Sequence, residues 1–114
     1  MRNPFKRRIK VDIKTLDHAI RYLETASQIM YDPREAYPDE VMAALGLMEP
    51  DYQYAVHLEK AKEIPIDSMP PDMIRAKLTS YLRGERFCDG YIAEIVNSGE
   101  LLSVLRRLKE LTGT

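Results

Sequence analysis

The stretch from Pro71 to Leu111, "PDMIRAKLTSYLRGERFCDGYIAEIVNSGELLSVLRRLKEL", decides the fold. Ile74, Leu78, Tyr81 and Leu82 recur at the three-and-four spacing of one helix face, and Asp72 is spaced to pair one turn on with Arg75. Tyr91, Ile92, Ile95 and Val96 form a second face; after "NSG", Leu101, Val104, Leu105, Leu108 and Leu111 form a third. Three helices in antiparallel succession are therefore expected. Between the first two lies "RGERFCDG". A glycine inside a helix costs about 1 kcal/mol relative to alanine, so Gly84 marks a helix end, a kink or a close backbone approach, and a bend is expected there. Asp89 is spaced to cap the helix beginning near Gly90, and Phe87 to anchor the corner in the core. Arg83 and Arg86 would face Glu85, Asp89 or the carbonyls that end the preceding helix.

Upstream, "IPIDSMPPD", residues 64–72, holds three prolines in nine residues and forbids a continuous helix. Before it, Leu16, Ala19, Ile20, Leu23, Ala26 and Met30 share one helix face, with Thr15 as N-cap. "YDPREAYPDE" breaks that helix. Pro38 then suits the first turn of a short helix carrying Val41, Met42 and Leu45 and closed by Gly46. In "EPDYQYAVHLEKAKEI" a helical face of Tyr54, Ala55, Leu58 and Ala61 competes with the strand-like alternation of Tyr52, Tyr54 and Val56, and the helix is preferred. Ile9, Val11 and Ile13 alternate with Lys10 and Asp12. The expected architecture is all-α: a single compact domain of about five helices over residues 15–114, with a Pro-rich linker at 64–72. A basic N-terminal arm over 1–14 is flexible or a short strand.

Composition narrows the classes. With 114 residues, 45% hydrophobic and 31% charged, the chain suits one globular domain. No apolar run approaches the roughly 18–20 residues that span a bilayer, and no signal-peptide pattern follows the basic start, so a cytoplasmic protein without a membrane partner is expected. The lone Cys88 excludes an internal disulfide. A net charge of −1 conceals an uneven distribution: +5 over residues 1–14, −8 over 15–72 and +2 over 73–114. Such a field can steer a partner, or the arm can lie on the chain's own acidic surface.

Chemistry concentrates at the corner. Arg83, Glu85, Arg86, Cys88 and Asp89 are the candidate ligand or interaction site. As an active site, Glu85 and Asp89 would exchange protons while Arg83 and Arg86 clamp an anion. As a structural corner, each residue has a local role in capping or packing. Cys88 as nucleophile would need His18 or His57 as base, and neither sits in a local signature. No catalytic residue, metal site or cofactor is assigned: the chain has one cysteine, two distant histidines, no calcium-loop register and no Gly-rich phosphate cradle.

Leu78 to Leu111 resembles the signature end of a family of small uncharacterised prokaryotic helical proteins with an Arg-x-x-Arg-Phe-Cys-x-Gly core. That core is here Arg83, Arg86, Phe87, Cys88 and Gly90, accompanied by Tyr37-Pro38 upstream and Leu105 to Leu108 near the end. The resemblance implies an α-helical domain with the arginine corner as its hallmark, and carries no activity. The leading expectation is a helical protein-interaction module with an unidentified protein partner. An alternative is nucleic-acid binding through Lys6, Arg7, Arg8, Lys10, Arg106, Arg107 and Lys109, against which stand a pI near 6.1 and the acidic centre. The third is an enzyme or binder for a small anion at the corner. An exposed Tyr or Leu stripe would support a homodimer.

Overall fold

The structure, a computed structural model, describes residues 9–26 and 28–113. Lys6, Arg7 and Arg8 lie outside the described residues. The described chain is all-helical: α1 (Ile13–Thr25), α2 (Asp39–Leu45), α3 (Tyr54–Lys60), α4 (Pro71–Phe87), α5 (Tyr91–Asn97) and α6 (Glu100–Thr112), with a 3-10 turn at Ile66–Ser68. Among the described residues no helix is long and apolar enough to cross a membrane.

The apolar spacing explains why these segments pack as they do. Leu101, Val104, Leu105 and Leu108 of α6 are fully buried, as are Leu16 of α1, Val41 and Ala44 of α2, and Ile74 of α4. Burying each Leu or Ile contributes about 1.5–3 kcal/mol, which is what draws the helices around one core. The 17-residue α4 is the central element and touches α2, α3, α5 and α6; α6 closes the other side against α1, α5 and the 3-10 turn. Tyr81 of α4 is 1% exposed and stays buried because its hydroxyl donates to the Glu100 carboxylate, which Lys77 also approaches at 3.4 Å. Burial and the Glu100 charge raise the Tyr81 pKa.

Several local expectations change. Helix α1 starts three residues earlier than the spacing suggested, because Asp12 rather than Thr15 is its N-cap and accepts the Thr15 N–H at 3.2 Å. The helix ends at Thr25, where Ala26 turns extended, so Met30 leaves the helical face and is 89% exposed. Ile9 and Val11 form no strand; both pack on the core ahead of Ile13, the first residue of α1. Tyr54 to Lys60 is helical, and Tyr52 and Val56 face outward. In the 64–72 linker, Ile66 to Ser68 wind into the 3-10 turn and Pro71 starts α4 at a position where its missing N–H costs nothing. Arg75 turns away from Asp72 toward Asp51 and the Pro50 carbonyl.

Candidate functional site

The corner between α4 and α5 is built around Glu85. Its carboxylate accepts the Gly90 N–H at 2.9 Å, the Ile92 N–H at 2.8 Å and the Tyr37 hydroxyl at 2.8 Å. Glu85 thereby fills the role expected of Asp89: it satisfies the orphan donors at the start of α5 from across the turn. Asp89 makes no capping bond and faces Tyr31 instead. Burial would raise the Glu85 pKa, but the Ile92 and Gly90 N–H groups and the Tyr37 hydroxyl outweigh it and hold the carboxyl below its ordinary value. Burial and the Glu85 charge raise the Tyr37 pKa. An ionised carboxylate with three donors on it is an anchor, and it has no proton to give.

Gly84 does not end α4. The helix continues to Phe87, and the glycine serves a close approach: a Cβ at Gly84 would lie 2.4 Å from two atoms of the Tyr91 ring. The turn itself falls at Gly90, whose φ of 85° suits glycine and whose Cα is packed against Tyr31. The segment carrying Tyr31 is tied down by Asn97, which accepts the Ile29 N–H at 2.9 Å and donates to the Ile29 carbonyl at 2.7 Å.

Phe87 departs most from expectation. It is 88% exposed: it is the last residue of α4, and the backbone is already extended at Cys88. Cys88 is an exposed free thiol; among the described residues neither histidine bonds it, since His18 lies 3.6 Å from Glu40 and His57 pairs with Asp51. Arg83 and Arg86 have no hydrogen-bond or ion-pair partner among the described residues. Both line a groove of about 280 Å³ together with Leu45, Met48, Tyr52 and Leu82. The structure thus separates the candidates: Glu85 points inward to the turn, while Arg83, Arg86 and Phe87, three and four residues apart, share the outer side of α4.

One cluster was missed by sequence reasoning. Asp51 is 3% exposed; its N–H donates to Thr79 Oγ1 at 2.9 Å, and its carboxylate accepts the Gln53 N–H at 2.9 Å and lies 2.5 Å from His57 Nδ1. Burial raises its pKa, but the His57 and Gln53 bonds and the His57 and Arg75 charges prevail and lower it. Asp51 before a helix starting at Tyr54 is a legible turn signal; its reach to Thr79 and Arg75 is set only by the tertiary fold. This cluster pins the outer wall of the groove to α4.

The basic groups of α6 are spent internally. Arg106 pairs with Glu24 at 2.9 Å, Lys109 with Asp17 at 2.6 Å, and Arg107 donates to the Met69 carbonyl at 2.8 Å. They hold α6 to α1 and to the linker. Lys10 is exposed. A wider cleft of about 750 Å³ between α1 and α2 sets Lys14, His18 and Arg21 among Asp17, Asp39 and Glu40, charges of both signs. Among the described residues no group of three or more His, Cys, Asp or Glu is placed to hold a metal ion.

No curated protein and no solved structure matches the chain. A family model described as a family of unknown function (DUF6508) matches residues 40–114, the span that runs from α2 through the groove and the corner to the end of α6. The chain belongs to this family of unknown function, DUF6508.

Proposed function

We propose that the chain is a cytoplasmic protein-interaction module whose docking surface is the outer side of the α4–α5 corner. The observation that carries this reading is Phe87, 88% exposed on the last turn of a helix whose other end and middle are packed. A phenylalanine left in water forgoes about 1.5–3 kcal/mol of burial, which a partner can supply. Arg83 and Arg86 stand on the same side without partners among the described residues, and Tyr31 and Met30 are exposed on the segment packed beside Gly90 and Asn97. Aromatic and arginine side chains are the types that dominate binding energy at protein interfaces. The Arg-x-x-Arg-Phe-Cys-x-Gly core, residues 83–90, lies inside the span matched by the family, which supports taking it as a family mark. The exposed single thiol of Cys88 suits a reducing compartment.

Affinity capture of the tagged chain from its host's lysate, with and without nuclease, tests the reading when run beside Phe87→Ser. A protein retained after nuclease treatment and lost with Phe87→Ser is the expected outcome. Retention that is indifferent to Phe87→Ser contradicts it, and material lost on nuclease treatment transfers the case to the basic groups.

A further inference from the structure

We infer that the groove between α4 and the α2–α3 connection binds a protein segment presenting an aliphatic side chain next to carboxylates. This rests on the interaction reading and names the partner's chemistry. The charge part of the case is a contrast: Arg106, Arg107 and Lys109 are all engaged within the chain, whereas Arg83 and Arg86 have no partner among the described residues. Two guanidinium groups one helical turn apart present forked donors that match carboxylates. Leu45, Met48 and Leu82 supply an apolar lining beside them, and Tyr52, 81% exposed, stands at the rim. An apolar lining edged by unpaired arginines suits a ligand with both characters and repels basic segments.

Size and stiffness argue for a segment rather than a free metabolite. At about 280 Å³ the groove is slightly smaller than the roughly 300–1,000 Å³ usual for small-molecule and cofactor pockets, so it suits one anchoring side chain of a longer ligand. Its outer wall is preformed: the Asp51 N–H is bonded to Thr79 and Arg75 donates to the Pro50 carbonyl, so binding need not order that loop. Phe87, four residues beyond Arg83, extends the same side of α4 and gives the rest of the segment an aromatic contact.

Selection of a random linear peptide library displayed on phage against the full chain tests the assignment. Enriched peptides are expected to place Asp or Glu next to Leu, Ile, Val or Met. They should lose about tenfold or more in affinity for the Arg83→Glu/Arg86→Glu variant. Met48→Glu, which presents a carboxylate from the opposite wall, should cause the same loss and serves where the double variant fails to fold. Enrichment of peptides without acidic residues, acidic peptides indifferent to these variants, or no enrichment overturns the groove assignment. Peptides that depend on Phe87 and on neither arginine also overturn it, while leaving the docking surface at the corner standing.

Discussion

The Tyr91 ring lies against the backbone of Gly84, so that a Cβ on Gly84 would come within 2.4 Å of ring atoms Cδ2 and Cε2. Gly84→Ala gains about 1 kcal/mol of helix propensity, yet it forces the ring aside at an overpacking cost of about 1–3 kcal/mol. A net loss of stability is expected in urea unfolding. In a Tyr91→Ala background the same substitution should become neutral or stabilising, and a cycle without that reversal would contradict the contact.

Glu85 replaces a local cap with a bond network across the turn. Glu85→Ala leaves the Gly90 and Ile92 N–H groups and the Tyr37 hydroxyl without their acceptor, with an expected loss of about 2 kcal/mol. The pH dependence follows from the lowered pKa. In the unfolded chain the carboxyl titrates near its ordinary value of 4.5; the folded value lies below it. The contribution of Glu85 is therefore complete above that pH and is lost as pH falls through the folded value. Unfolding curves of the parent and Glu85→Gln should converge on acidification, and a gap that widens toward low pH would contradict this sign.

Asp51→Asn should be among the most damaging single polar substitutions, costing about 3 kcal/mol, because it leaves His57 and Arg75 facing a neutral group in a buried site. Arg75 Nε is already buried without a hydrogen-bond partner among the described residues, so the cluster has no spare acceptor. The same substitution should loosen the Met48 to Tyr52 wall. Hydrogen exchange of residues 48–53 is expected to quicken in the variant, and unchanged protection would show that the wall stands without it.

Phe87→Ser should move stability by no more than about 0.5 kcal/mol, since the side chain is 88% exposed. A large fall in the urea midpoint would return Phe87 to a structural role.

The all-helical class was legible because Ile74, Leu78 and Tyr81, and Leu101 to Leu108, follow a period that chain connectivity cannot disguise. The corner was legible as a place and misread in its parts. Asp89 and Glu85 are both carboxylates close in sequence to Gly90, and it is Glu85, held by the Tyr37 hydroxyl from 48 positions away, that takes the amides. The hydrophobicity of Phe87 points to the core; its exposure depends on where α4 stops relative to the core, which no local pattern records. The Asp51 cluster joins residues 28 positions apart, and so is invisible to any local window.

Hydroxyl-radical footprinting of the full chain, free and with the captured partner bound, tests most directly the claim that the outer side of α4 is the docking surface. Phe87, Tyr52 and Met48 are expected to lose reactivity together on binding, with Tyr22 on α1 unchanged. Full reactivity of Phe87 in the complex, with protection elsewhere, would contradict it.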